Sequence, residues 1–190
     1  NVVIPNIYDI DRILRLSAEF IPDISYNYAI SVGSFNPVKR HDILLKAFAM
    51  QNALKNLVII GSGGSAEAEV KSLVHDLSIT DRVVFLGYKQ NPYPYIKNAN
   101  ITIISSDSES FSSVTIESLI LGTPVISTDC LGPVEIMGKA FEEFIAKRGD
   151  AKNLRDKILL ALEEYPNIED SIYQKYSPKN IIDSYSKLIK

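Results

Sequence analysis

The chain has little of what several common protein classes require. Its 190 residues include one cysteine, Cys130, and no tryptophan. One cysteine excludes an internal disulfide and fits a reducing compartment, and with only two distant histidines it provides no metal-ligand spacing. Nine glycines and nine prolines are too few for a collagen-like or low-complexity chain. No apolar run approaches the roughly 18 residues of a membrane span, so we expect no membrane contact from this segment.

Charge of neither sign dominates the sequence. Twenty Lys and Arg residues stand against 23 Asp and Glu residues, for a net charge of −3. This balance argues against a nucleic-acid partner or an anionic membrane surface, although a local basic pocket can still bind a phosphate. Hydrophobic residues make up 46% of the chain, which excludes disorder and favours one globular domain.

The organisation along the chain indicates repeated βα units. Short, β-branched apolar runs alternate with segments of helical period, as in a parallel sheet covered by helices on both faces. The predicted strands cover residues 28–33, 57–61, 83–87, 101–105 and 124–128, with a weaker one at 144–145. The predicted helices cover residues 43–54, 66–77, 94–98, 114–121, 154–164 and 178–189. Ligands in such folds lie at the carboxyl ends of the strands, which selects loops 33–41, 61–65, 87–93, 105–113 and 128–135.

The first residues read as a connection to another domain. The chain begins without an initiator methionine and inside an apolar run, so we expect a domain cut from a longer protein. Residues 1–24, where Pro5 and Pro22 bracket a helical stretch, are predicted as a linker, and residues 25–190 as the folded domain.

Loop 105–113 leads into a predicted helix and carries the richest chemistry. Ser112 or Ser113 is a natural N-cap, and the free N–H groups of the helix start suit a phosphate. Glu109 in the loop and Glu117 in the helix can border one cleft. Taken singly, each glutamate reads more simply as a solvated acid.

Loop 33–41 places two adjacent cations, Lys39 and Arg40, at the start of a helix, where they oppose the helix dipole. A bound anion would resolve this conflict, which makes Lys39 a candidate phosphate ligand. A solvated surface lysine is an equally good interpretation of these residues alone.

The remaining motifs are weaker. Residues 61–66 match the dinucleotide fingerprint G-x-G-x-x-A but follow the second strand, so a tight turn is favoured over an NAD-dependent dehydrogenase domain. No G-x-S-x-G surrounds any serine, which argues against a hydrolase. Gly132 and Pro133 are read as another turn, with Glu135 on the ligand side.

Together these loops resemble the C-terminal, donor-binding domain of the GT-B retaining glycosyltransferases. The family's Glu-x7-Glu motif matches Glu109 and Glu117, with Phe111 in the expected place. Further similarity covers the linker-like residues 3–6, Lys39 with the helix ending at residues 45–48, and residues 59–63, 84–87, 122–126 and 132–136, the last resembling enzymes of polysaccharide biosynthesis.

The resemblance implies a Rossmann-like three-layer α/β domain with about six parallel strands, one half of a GT-B fold. It implies that Lys39 neutralises the donor diphosphate, that Glu109 lies by the transferred sugar and that Glu117 binds the ribose. An acceptor hydroxyl would attack from the face that the diphosphate leaves, with no metal or other cofactor. The other implied donor-binding residues are Gly33, Ser34, Arg40, Tyr88, Lys89, Gln90, Phe111, Ser112, Ser113 and Val114.

Three features depart from the family pattern. Ser34 stands where arginine is common, which removes one phosphate cation, and we expect Arg40, which stands where glycine or asparagine is common, to compensate for it. Ser110 and Ser112 replace two glycines that are common in the Glu-x7-Glu loop, and residues 139–148 lack the G-x-L-v pattern that the family often has before its last helices. A non-catalytic nucleotide- or sugar-phosphate-binding module is therefore the alternative to a transferase.

As a transferase, the protein would take part in surface-glycan assembly. Its partners would be a nucleotide sugar and an N-terminal, acceptor-binding domain outside these residues, so the chain would be inactive alone. The resemblance implies a cytoplasmic protein, with the full-length enzyme able to bind at the inner face of the membrane.

Overall fold

A six-stranded, all-parallel sheet forms the centre of the computed structural model, which describes residues 6–188. The sheet order is β3-β2-β1-β4-β5-β6, which confirms the predicted Rossmann-like α/β class. The strands are β1 (Tyr28–Val32), β2 (Asn56–Ile60), β3 (Val83–Gly87), β4 (Ile101–Ile104), β5 (Val125–Thr128) and β6 (Ile145–Ala146).

Helices flank this sheet. They are α1 (Ile10–Leu16), α2 (His41–Ala49), α3 (Glu67–Asp76), α4 (Tyr93–Lys97), α5 (Ser113–Ile120), α6 (Leu131–Met137), α7 (Ala151–Glu164), α8 (Ser171–Gln174) and α9 (Pro178–Leu188). Short 3₁₀ turns occupy Pro37–Lys39, Thr80–Arg82 and Lys139–Phe144. Between residues 6 and 188, none of the helices is long and apolar enough to cross a bilayer.

The central strands are apolar because both of their faces are covered. Ile30, Val58 and Ile126 are completely buried, and burying such side chains stabilises the fold by about 1.5–3 kcal/mol each. Their nearly continuous apolar sequence is what a sheet between two helical layers requires.

The crevice of the fold lies between β1 and β4. The chain runs outward from β1 through β2 to β3 and then returns to the other side of β1 as β4. The loops after β1 and β4 therefore diverge, and a crevice opens at the carboxyl ends of these strands.

The glycines after β2 serve loop packing. A Cβ on Gly61 would lie 1.8 Å from the carbonyl oxygen of Gly33, and one on Gly64 would lie 2.3 Å from that of Phe35. The Phe35 N–H also donates to the Gly63 carbonyl at 2.7 Å. These contacts explain the glycine pattern as a tight turn that seats the loop after β1.

Helix α6 corrects one expectation. The Gly132-Pro133 segment forms the first turn of a helix, where the sequence was read as a loop. Proline is tolerated there because the N–H groups of a first turn have no partner within the helix.

The segment before β1 packs against the domain. Ile13 of α1 is buried, α1 contacts α4 and α5, and the Tyr8 N–H donates to the Tyr176 carbonyl at 2.9 Å. The linker-like residues 1–5 lie outside the described residues, and the boundary at residue 24 remains a prediction.

Candidate functional site

A cleft of about 310 Å³ lies at the carboxyl ends of β1 and β4. It occupies the position where doubly wound sheets bind their ligands. Its lining comes from the loop after β1, the loop after β4 and the first turn of α5. The lining residues are Ser31, Val32, Gly33, Ser34, Lys39, His41, Ile103, Ile104, Ser105, Ser106, Glu109, Phe111, Ser112, Ser113 and Val114.

An ion pair crosses the cleft. Lys39 ends the 3₁₀ turn after β1, and its Nζ lies 2.6 Å from Oε1 of Glu109. The two side chains are 29% and 13% exposed. The Ser106 hydroxyl donates to the same carboxylate oxygen at 2.8 Å. Glu109 thus has a cation and a hydroxyl as partners, which fixes its orientation toward Lys39.

Further hydrogen bonds join the two loops that carry this pair. The Asp107 N–H donates to the Val38 carbonyl, and the Ser105 hydroxyl donates to the Lys39 carbonyl, each at 2.8 Å. The ion pair is therefore held through the main chain of both loops as well as through its own charges.

Helix α6 packs against the loop that carries Glu109. The Gly132 N–H donates to the Glu109 carbonyl at 3.0 Å. A Cβ on Gly132 would lie 2.9 Å from that oxygen and from Cα of Phe111. Glycine is therefore required for the helix to approach the loop this closely.

The N-terminus of α5 faces the same cleft. Ser112 is its N-cap in extended conformation, and the first N–H groups of the helix have no intrahelical partners. These donors and the helix dipole favour an anion. Tyr8 lies at this helix start, where its hydroxyl donates to Ser113 Oγ at 2.8 Å and its ring stacks on Phe111 at 6.0 Å.

Glu117 lies one turn further along α5 and is not one of the lining residues named above. Burial raises the pKa of Glu117 to about 7, although the Tyr93 hydrogen bond opposes this shift. That bond runs from the Tyr93 hydroxyl to Glu117 Oε1 at 3.3 Å. Near neutral pH this carboxyl is consequently divided between its neutral and ionised forms.

His41 is a cleft residue that the sequence reasoning missed. It begins α2 directly after the two cations, it is 4% exposed, and its Nδ1 has no hydrogen-bond partner among the described residues. Burial, with a contribution from the Lys39 charge, lowers the pKa of His41 to about 4. The imidazole is therefore neutral at physiological pH. Its position next to Lys39 was the available signal, but burial of the ring depends on tertiary packing.

Most of the predicted site residues meet at the cleft, and the others lie elsewhere. Gly33, Ser34, Lys39, Glu109, Phe111 and Ser112–Val114 line it. Tyr88, Lys89 and Gln90 follow the edge strand β3, with Tyr88 73% exposed. The expectation that Arg40 compensates for Ser34 is not supported, because its guanidinium pairs with Asp42 and Asp107. Glu135 is exposed on α6.

Curated relatives are glycosyltransferases. The chain is 32% identical over 127 residues to an N-acetylgalactosaminyltransferase of Campylobacter jejuni that acts on N-acetylgalactosamine-N,N'-diacetylbacillosaminyl-diphospho-undecaprenol, covering 67% of this chain and 34% of that protein. It is 24% identical over 197 residues to the N-acetyl-alpha-D-glucosaminyl L-malate synthase of Bacillus anthracis, covering 99% of this chain and 51% of that enzyme. The chain thus spans between a third and a half of the length of these relatives.

Solved structures share the fold. Anabaena HepE in complex with UDP and glucose superposes with a TM-score of 0.83 at 20% identity, covering 99% of this chain and 56% of that one. The galactosyltransferase WaaB of lipopolysaccharide outer core superposes with a TM-score of 0.81 at the same identity, over 99% of this chain and 55% of that one. The fold is thus that of a GT-B glycosyltransferase domain. The family model described as glycosyl transferases group 1 matches residues 17–179, and the chain belongs to this family.

Proposed function

We propose that this chain is the donor-binding half of a retaining glycosyltransferase that uses a nucleoside diphosphate sugar. The observation that carries the proposal is the Lys39–Glu109 pair, 2.6 Å apart, in a cleft that also holds the N-terminus of α5. A cation and a helix N-terminus that converge on one cleft are suited to a diphosphate.

The chemistry follows from the leaving group. Breaking the bond between the sugar and the diphosphate places negative charge on the phosphate oxygens. Lys39 and the N–H groups of Ser112, Ser113 and Val114 would stabilise that charge as it develops. Glu109, which pairs with Lys39, would contact the transferred sugar. We propose that no metal or other cofactor takes part.

Glu117 would bind the ribose hydroxyls of the donor. A carboxyl with a pKa of about 7 can accept or donate a hydrogen bond near neutral pH, and hydroxyl groups are able to do both. The nucleotide base would lie against the main chain at residues 88–90, toward the β3 edge of the sheet.

The acceptor would belong to a surface glycan. Relatives named for a diphospho-undecaprenol acceptor and for lipopolysaccharide core synthesis support this assignment. The chain spans 34% to 51% of the relatives described above, so an acceptor-binding half outside these residues would position the acceptor hydroxyl. Positioning of this kind contributes about 7–11 kcal/mol, so we propose that these residues alone bind the donor without transferring sugar.

Calorimetric titration with UDP, the nucleotide bound to a structural neighbour, tests the proposal. We expect a Kd on the order of 0.1–1 mM for the unmodified chain, because half of the enclosing surface is absent. Lys39→Ala should weaken binding about tenfold or more, since a charge-assisted contact contributes about 1.5–3 kcal/mol.

Lys46→Ala is the matched control, because it removes the same charge from the exposed side of α2. Its UDP affinity should stay within about twofold of that of the unmodified chain, since surface ion pairs contribute about 0–1 kcal/mol. Unchanged affinity in Lys39→Ala, or an equal loss in both variants, would exclude Lys39 as the diphosphate ligand.

The two glutamates are separated by a second titration. Glu117→Gln should weaken UDP and UDP-sugar binding alike, because both ligands contain the ribose. Glu109→Gln should weaken only the UDP-sugar. Equal losses for both ligands in both variants would contradict this division of roles.

A non-catalytic nucleotide-binding module is the second candidate. It is favoured by Ser34, which is exposed where the family commonly has a second phosphate cation, and by Arg40, which pairs with carboxylates. Release of UDP by the full-length protein, measured with and without acceptor, separates the two candidates. Acceptor-dependent release identifies a transferase, and UDP-sugar binding without turnover identifies the module.

A further inference from the structure

The backbone at Arg40 is unusual for its residue type. Its φ is 49° and its ψ is 46°, the left-handed conformation that glycine adopts without strain and other residues rarely adopt. The only other described non-glycine residue with positive φ is Ser78, at 57°. A strained position between Lys39 and His41 suggests that the side chain of Arg40 has a role that glycine could not fill.

The Arg40 guanidinium binds two carboxylates. Its Nε and Nη2 donate to the two oxygens of Asp42 at 2.9 and 3.1 Å. Its Nη1 donates to both oxygens of Asp107 at 3.1 and 2.9 Å. These hydrogen bonds raise the pKa of Arg40 further, so the guanidinium is charged at neutral pH.

A second arginine donates a hydrogen bond to the main chain of Asp107. Arg148 follows β6, and its Nη1 donates to the Asp107 carbonyl at 3.2 Å while its Nε donates to Asp129 at 2.7 Å. Arg40, Asp107, Asp129 and Arg148 follow β1, β4, β5 and β6, which are consecutive in the sheet. We name these four residues the Asp107 clamp.

The Asp107 clamp is better suited to fixing the positions of neighbouring side chains than to raising the free energy of unfolding. Arg40 and Asp107 are 29% and 42% exposed, and ion pairs this accessible contribute little to the free energy of unfolding. Arg40 is, however, the residue after Lys39, and Asp107 lies two residues before Glu109. A bond between Arg40 and Asp107 therefore constrains both ends of the Lys39–Glu109 pair.

We propose that Arg40 is a positioning residue that acts through Asp107 to set the distance between Lys39 and Glu109. The effect of this role on catalysis rests on the proposed function. The geometric role itself concerns only residues of this chain. It differs from direct phosphate binding, because the guanidinium is occupied by Asp42 and Asp107.

The thermodynamic coupling between Lys39 and Glu109 tests the geometric role without any ligand. Urea denaturation of the unmodified chain, Lys39→Met, Glu109→Gln and the double variant gives this coupling. We expect the coupling to fall by at least about half when the same four chains carry Arg40→Gly, because the side-chain bonds that tie Asp107 to the loop of Lys39 are then lost and the remaining hydrogen bonds fix the Lys39–Glu109 distance less tightly. Arg40→Lys should restore part of it.

Ser78→Gly is the matched control, because it also relieves a left-handed backbone and lies outside the clamp. It should leave the Lys39–Glu109 coupling unchanged. Asp107→Asn should lower the coupling as Arg40→Gly does, and combining the two should lower it no further. A coupling that Arg40→Gly leaves intact, even with altered stability, would overturn the proposal.

UDP titration distinguishes positioning from direct binding. UDP affinity in Arg40→Gly should stay within about threefold of that of the unmodified chain, because Lys39 and α5 remain. A loss as large as that in Lys39→Ala would make Arg40 a phosphate ligand and would refute the positioning role. If the unmodified chain binds neither UDP nor another nucleoside diphosphate, the proposed function fails, while the coupling measurement still decides the role of Arg40.

Discussion

The two glutamates of the Glu-x7-Glu motif occupy opposite electrostatic environments. Glu109 has a lysine ammonium at 2.6 Å and a serine hydroxyl at 2.8 Å. Glu117 is partly buried beside Tyr93, and among the described residues its carboxyl has one hydrogen-bond partner, the Tyr93 hydroxyl at 3.3 Å. Burial raises the pKa of Glu117 to about 7. Identical residue types in one motif are thus prepared for different tasks, one beside a charge and one as a titrating hydrogen-bonding group.

His41, next to Lys39, has a pKa that is shifted in the opposite direction from that of Glu117. His41 is neutral because burial and Lys39 lower its pKa to about 4, whereas Glu117 on the α5 side resists ionisation. Both residues avoid a buried charge, as the cost of removing an ion from water requires. Stability should therefore depend on pH in opposite directions on the two sides.

The largest expected effect comes from replacing Glu117. Its pKa rises from 4.5 to about 7 on folding, so the folded chain binds more protons and loses stability as pH rises through this window. The shift corresponds to about 3 kcal/mol. Relative to Glu117→Gln, the unmodified chain should lose about this much free energy of unfolding between pH 4.5 and pH 8. Urea denaturation at both pH values measures it, and parallel pH curves for the two chains would show that Glu117 titrates normally.

Replacing His41 should give the opposite slope. Its pKa falls from 6.5 to about 4 on folding, so its contribution is present above pH 6.5 and is lost as pH falls toward 4. Relative to His41→Gln, the unmodified chain should lose about 2 to 3 kcal/mol over that interval. The same denaturation series from pH 7 to pH 4 tests this. A difference between the chains that does not change with pH would mean that His41 is accessible to protons in the folded state.

Much of this site could be predicted from local sequence, and the rest depends on side-chain packing. The alternation of apolar runs and helices predicted the sheet, and the rule that ligands lie at the carboxyl ends of parallel strands selected the loops that carry Lys39 and Glu109. Pairing of Arg40 with Asp107 spans 67 residues, and no local pattern encodes it. Burial of His41 and the contact between Tyr93 and Glu117 likewise depend on how neighbouring helices pack.

Helix α6 is a second case in which local sequence did not predict a long-range contact. Glycine followed by proline usually marks a turn, but here Gly132 permits close approach to the Glu109 loop and Pro133 occupies a first helical turn. The local signal was correct about backbone restrictions. It could not reveal that the restriction serves contact with a loop more than 20 residues away in sequence, since the Gly132 N–H bonds to the Glu109 carbonyl.

Two glycine-to-alanine substitutions compare the packing around the Glu109 loop with that at the end of α5, the helix that carries Glu117. Gly132→Ala should destabilise the chain by about 2 kcal/mol, because its Cβ would lie 2.9 Å from the Glu109 main chain and overpacking costs about 1–3 kcal/mol. Gly122→Ala, at the end of α5, should cost about 1 kcal/mol, because its φ of +74° is strained but its Cβ would meet open space. Free energies of unfolding from urea titration give both values. Equal costs would mean that α6 yields without resistance.

The smallest effect should come from Tyr93→Phe, which removes the one hydrogen bond to the Glu117 carboxylate within the described residues. That bond lowers the pKa of Glu117 against the larger effect of burial, so its loss should raise this pKa further above 7. At pH 8, where Glu117 is mainly ionised, the free energy of unfolding should fall by about 0.5–1 kcal/mol, a low value because the bond is long. Carbon-detected NMR titration of the Glu117 carboxyl measures the pKa directly. Tyr8→Phe is the control, because its hydroxyl donates to Ser113. An equal pKa change in both variants would show that general burial, rather than the Tyr93 hydroxyl, controls the titration of Glu117.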